Sequence, residues 1–117
     1  MAKVNEKYVE LSKQALEHWH ENLEMVKGGD PFIDISGSDC AYCRYTDNDC
    51  ESCPIGKDAG VGCTNTPWMS VQMEICELEE DRNSGNLMDL GNLQDTVERM
   101  IAYLEGLDKR INSGEVR

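Results

Sequence analysis

Five of the six cysteines fall between positions 40 and 63: Cys40, Cys43, Cys50, Cys53 and Cys63. The run opens with Cys40-Ala41-Tyr42-Cys43 and repeats the spacing in Cys50-Glu51-Ser52-Cys53. It sits in residues 32–66, a stretch rich in Gly, Asp, Asn and Ser where neither a helical nor a strand period holds. An irregular segment of about 35 residues is rare in a compact domain unless something ties it down. Here the cysteines supply the tie. Two residues between cysteines let both sulfurs of one turn reach a single ion at about 2.3 Å, as tetrahedral zinc requires. The spacing therefore predicts a structural tetrathiolate zinc on Cys40, Cys43, Cys50 and Cys53. Cys63, after Gly60-Val61-Gly62, competes for the place of Cys40 or Cys50, so the ligands are four of these five. An iron–sulfur cluster is the first alternative, because Cys53-Pro54 is similar to the end of ferredoxin cysteine runs. Disulfides and free thiols follow it.

The redox setting decides between metal and disulfide. Met1-Ala2-Lys3-Val4-Asn5-Glu6 leads straight into a charged helical pattern with no apolar leader, and no apolar run approaches the ~20 residues that span a bilayer. The expectation is a cytoplasmic chain without a membrane segment, where thiols stay reduced and paired CxxC motifs bind metal. Cys76 lies inside a helical pattern beside Met69 and Met73 and reads as a small buried thiol rather than a ligand.

Around the cysteine insert the chain is helical. Val4, Tyr8, Leu11, Ala15, Trp19, Leu23 and Val26 recur at intervals of three or four, predicting a helix over about 4–27. Gly28-Gly29-Asp30-Pro31 ends it. Phe32-Ile33-Asp34-Ile35 suits one short extended piece. Thr66-Pro67 reads as a cap followed by proline at the first helical position, opening a helix over about 67–82. It presents Trp68, Val71, Ile75 and Leu78. After the turn Asn83-Ser84-Gly85, Leu87, Leu90, Leu93, Val97, Met100, Ile101, Leu104, Leu107 and Ile111 predict a helix over about 87–112, capped by Asn92 with Asp95. The fold class is mainly α, one domain over 1–117. Two long helices pair antiparallel, the middle helix packs across them, and the metal-stapled loop sits at one end.

Charge narrows function. The net charge is −12, and residues 67–85 set five acids against Arg82 alone. Such a field repels nucleic acid, whose binding depends on basic side chains neutralising phosphates. It suits a partner with a basic surface. The middle helix ends in Glu77, Glu79, Glu80 and Asp81, against the macrodipole, a local rule broken without local benefit. Catalytic groups do not stand out. His18 and His20 flank the first apolar stripe, far in sequence from the cysteines, and read as helix-surface residues. No nucleophile–base set or phosphate loop is present, so the chain reads as a non-enzyme with no catalytic residues.

The succession Cys40-x-x-Cys43, Cys50-x-x-Cys53-Pro54-Ile55, Gly60-x-Gly62-Cys63-x-x-Thr66-Pro67-Trp68 resembles a group of small bacteriophage and prophage proteins. They share a similar cysteine pattern between helices. The likeness covers residues 40–68, and Trp68 stands where tyrosine is common in that group. It implies a phage origin and a metal loop, and it strengthens Cys63 as a ligand, since that position belongs to the pattern and Cys76 does not.

The charge and the resemblance together predict an acidic accessory protein that binds and inhibits a host protein, occupying a basic nucleic-acid-binding surface. The residues expected to make the contact are Glu74, Glu77, Glu79, Glu80 and Asp81, with Asp47, Asp49 and Glu51 on the metal loop. Two other classes compete: a metal-dependent redox or iron–sulfur protein, and a homodimeric structural protein joined through the last helix.

Overall fold

The computed structural model of the chain describes residues 4–30, 33, 58, 66–85 and 90–116. Among the described residues there are three helices and no strand: α1 (Glu6–Lys27), α2 (Trp68–Asn83) and α3 (Gly91–Asn112). The class is mainly α, as the periodicity requires.

Local chemistry sets the ends of each helix. Asn5 Oδ1 accepts from the backbone N–H groups of Lys7 and Tyr8 at 3.1 and 3.2 Å, which satisfies two donors that an α-helix leaves open. α1 therefore starts at Glu6, and Val4, expected within the stripe, lies outside the helix and is exposed. At the other end Gly29 adopts φ 93°, a left-handed conformation that only glycine takes cheaply. The Asp30 N–H then reaches the Met25 carbonyl at 2.9 Å, and the Gly29 N–H reaches that of Val26 at 3.0 Å. The same pair of closing bonds ends α3 around Gly114. α2 starts at Trp68, one residue later than expected, with Pro67 (φ −60°, ψ −8°) in the cap position; Thr66 Oγ1 accepts from the Trp68 N–H at 3.2 Å. The expected cap for α3 is not found. Leu90 precedes the helix without a side-chain cap, and Asn92 lies within the first turn. Asp95 instead pairs with Arg99 one turn on, at 2.8 Å.

α3 is the central helix. Its stripe of Leu93, Val97, Met100, Leu104, Leu107 and Ile111 is buried from end to end. α1 lays Tyr8, Leu11, Ala15, Trp19 and Val26 against the same core. The direction follows from one bond: Ser12 Oγ donates to Asp108 Oδ1 at 2.7 Å. An antiparallel alignment about that pair sets Val26 beside Leu93 and overlaps both helices fully. A parallel one would run half of α1 past the end of α3, leaving the buried Trp19, Asn22 and Val26 uncovered. The two long helices are antiparallel. The middle helix differs from expectation, because it packs on α3 and makes no comparable contact with α1. Its fully inward residues are Val71 and Leu78, two turns apart, a line wide enough for one neighbour.

The ends of the cysteine insert join this body. Ile33 is buried in the core, and the hydroxyl of Thr66 lies 3.9 Å from the Met100 sulfur. The remainder of the expected extended piece at 32–35 lies outside the described residues, as does Leu87.

Ser12 and Asn22 are buried polar residues inside the α1 stripe. A hydrogen bond to a charged acceptor contributes about 1.5–3 kcal/mol. Ser12→Ala should therefore lower unfolding stability by about 1.5 kcal/mol, seen as a lower urea midpoint at unchanged slope. A midpoint equal to that of the parent would mean that Asp108 is as well satisfied by water.

Candidate interaction surface

α2 carries apolar residues on two opposite sides. Val71 and Leu78 face α3, with Trp68 and Ile75 half-buried beside them. Projected at 100° per residue, Met69, Met73 and Cys76 lie half a turn away. Met69 is 36% exposed and Met73 60%, and Cys76 is an exposed free thiol. Cys76 was expected to be buried. These residues lie two or five positions from Val71 or Leu78, off the inward face, and packing on α3 leaves their side outward.

Glu77, Glu79 and Glu80 border that outward face, whereas Glu74 and Asp81 project nearer the α3 side. The first three are exposed, while Glu74 and Asp81 are half-buried. Partial burial, and secondarily the neighbouring Glu77, pushes the Glu74 carboxyl above its ordinary range. The charge order of the three helices is instructive. α1 begins with Glu6 and ends with Lys27, and α3 ends with Lys109 and Arg110, all favourable to the macrodipole. α2 has no acid in its first turn and closes on an acidic run relieved only by Arg82. Of the other residues expected at the interface, Asp47, Asp49 and Glu51 lie outside the described residues. So do Cys40, Cys43, Cys50, Cys53 and Cys63. Among the described residues no group of three His, Cys, Asp or Glu side chains is placed to hold a metal. His18 is half-buried and His20 exposed on α1, where His20 borders an open depression with Leu16, Glu17, Glu21 and Glu24.

One interior point of the insert is fixed to the helical body. Asp58, midway in sequence between Cys53 and Cys63, accepts three hydrogen bonds from α3. Arg110 grips it with both arms, Nε to Oδ1 at 2.6 Å and Nη2 to Oδ2 at 2.9 Å. Tyr103 donates its hydroxyl to Oδ2 at 2.8 Å. Tyr103 and Arg110 stand two turns apart on one side of α3, with the guanidinium carbon 5.9 Å from the ring centre. The Asp58 side chain is 13% exposed. Burial alone would raise its carboxyl, but the bonds from Arg110 and Tyr103 and the guanidinium charge outweigh that and hold it below the ordinary value. Burial, and then Asp58, pushes the Tyr103 phenol far up, so it stays a donor. Asp58 also raises Arg110. Sequence reading singled out neither Asp58 nor its partners. Tyr103 and Arg110 flank the α3 stripe seven positions apart, a weak signal that the flank has a partner. Nothing in sequence selects Asp58 among the acids of the insert.

No helix among the described residues is long and apolar enough to cross a membrane. No protein-family model, curated protein or solved structure matches the chain.

Proposed function

We propose that this chain is an acidic binding module, not an enzyme, which occupies a basic surface of another protein and blocks it. On the phage resemblance of residues 40–68, the target is a host protein, and its basic surface one that handles nucleic acid. The observation that carries the reading is the exposed acidic end of α2. Glu77, Glu79 and Glu80 oppose the macrodipole and have only Arg82 near in sequence to offset them, so the charge is kept at a cost to the helix. Lys and Arg side chains on a partner would remove that cost and speed association. The cysteine insert holds one structural zinc on four of Cys40, Cys43, Cys50, Cys53 and Cys63. Its acids Asp47, Asp49 and Glu51 extend the surface.

The test is retention from a bacterial lysate on immobilised wild-type protein and on the variant combining Glu77→Gln, Glu79→Gln and Glu80→Gln. A nucleic-acid-binding protein should be held by wild type at low salt, released at high salt, and lost from the variant. The same variant should gain stability, by about 0.3 kcal/mol per removed charge. Opposite signs for binding and stability are the signature. Retention that ignores salt, or survives the three substitutions, would rule the reading out.

Metal content is a separate expectation. The purified protein should be colourless and carry about one zinc per chain. Visible absorption from iron and sulfide would replace the zinc assignment with a cluster.

A further inference from the structure

The acids of α2 account for attraction, but not for the apolar strip that Glu77, Glu79 and Glu80 border. Met69 and Met73 are two of the few large hydrophobic residues exposed among those described, and Cys76 continues their line by one further turn. The strip lies half a turn from the buried Val71 and Leu78, so α3 already satisfies the helix's need for a core. An apolar face left over after packing marks a contact site when charged residues rim it. Methionine suits such a role, because its unbranched side chain adapts to different shapes.

We infer that the Met69–Met73–Cys76 face of α2 docks a cationic amphipathic helix of a partner protein, its apolar side on the methionines and its Lys/Arg flanks on Glu77, Glu79 and Glu80. The inference rests on the acidic reading above and adds the binding mode and the class of partner. Charge selects the occupant. A second copy of the chain would bring another acidic α2 with no basic residue on this face, since Arg82 projects to the side of Val71 and Leu78. Nucleic acid and anionic lipid are turned away by the same carboxylates. A helix presenting apolar anchors every three or four positions, flanked by Lys and Arg, answers both features at once.

The experiment uses the full chain with methyl-labelled methionine and three probes. The first is a peptide of leucine and lysine about 18 residues long with helical periodicity. The second is its scrambled version, and the third is polylysine of equal length. The amphipathic peptide should shift the methyl signals of Met69 and Met73 and leave that of the buried Met100 in place. Combining Met69→Gln with Met73→Gln, which keeps helix propensity and exposed position, should weaken that peptide at least about tenfold and leave polylysine binding unchanged. An amphipathic peptide that binds no more tightly than the scrambled one overturns the inference, as does unchanged affinity in the double variant. So does a shift of the two methyl signals with protein concentration alone, which would assign the face to a second copy. If polylysine also fails to bind, the acidic reading itself is at fault. If polylysine binds and only the amphipathic peptide gains nothing, the binding mode alone is wrong.

Discussion

Replacing Leu104 by alanine should remove about 3 kcal/mol of unfolding stability and lower the thermal midpoint by roughly 10 °C. Leu104 is 1% exposed and lies near the middle of the α3 stripe. Truncation forfeits the transfer energy of the lost methyl and methylene groups and leaves a cavity that the flanking Met100 and Leu107 cannot fill. Total stabilities of domains lie near 5–15 kcal/mol, so the loss is a large fraction. Because α1 and α2 both pack on α3 rather than on each other, the unfolding transition should remain single and move as a whole. Urea denaturation followed by tryptophan fluorescence checks this, as Trp19 is in α1 and Trp68 in α2. Two separated transitions, or a loss below about 1 kcal/mol, would contradict the shared-core architecture.

Arg110→Ala should cost about 2 kcal/mol. Removing one partner of a fully buried pair typically costs about 3–5 kcal/mol. Arg110 is 34% exposed, so water screens part of the interaction and the expectation is reduced accordingly. The cost arises because Asp58 keeps its charge, largely out of water, with Tyr103 as its remaining partner. Acid should expose the same contact. The folded carboxyl lies below its ordinary value of 3.8, so the unfolded chain binds more protons as pH falls. The contribution of Asp58 is therefore complete above that value and is lost as pH drops through the depressed one. Other carboxylates titrate in the same range, so the observable is a difference. Asp58→Asn should be less stable than wild type near neutral pH, and the gap should close in acid. A gap that is constant with pH would show that the carboxylate charge contributes nothing to the anchor.

The long helices were legible because their apolar residues return every three or four positions for six turns, and because Gly29 sits where the chain must turn left-handed. Their antiparallel pairing was expected, yet two stripes of equal length cover each other in either direction, and only the bond from Ser12 to Asp108 selects one. α2 was only half legible. The expected stripe of Trp68, Val71, Ile75 and Leu78 does face in, but Met69, Met73 and Cys76, expected alongside it, lie on the opposite side. Composition placed Cys76 in the core, and the structure places it in water. Ser12 escaped notice because its burial depends on Asp108, 96 positions away. Asp58 escaped for a similar reason: its partners lie on α3, 45 and 52 positions further on. The α3 cap failed because the polar residues Asn92 and Asp95 fall inside the first turns, where Asp95 does better with Arg99. The acidic end of α2 was visible as charge, but the exposed methionines beside it needed the packing.

The central place of α3 also sets an order of events in folding. Of the three described helices α1 is synthesised first, yet α3, on which it rests, lies beyond the cysteine insert, and the bond between Ser12 and Asp108 closes a loop of 96 residues. Closing it early is entropically unfavourable. Only seven positions of sequence separate α2 from α3, so the two can meet early. On loop-closure entropy the expected order of assembly runs backward along the chain, with the α2–α3 pair forming first as the template and α1 joining last. During that interval the apolar stripe of α1 stands open, which makes it the segment where slow folding and aggregation would begin.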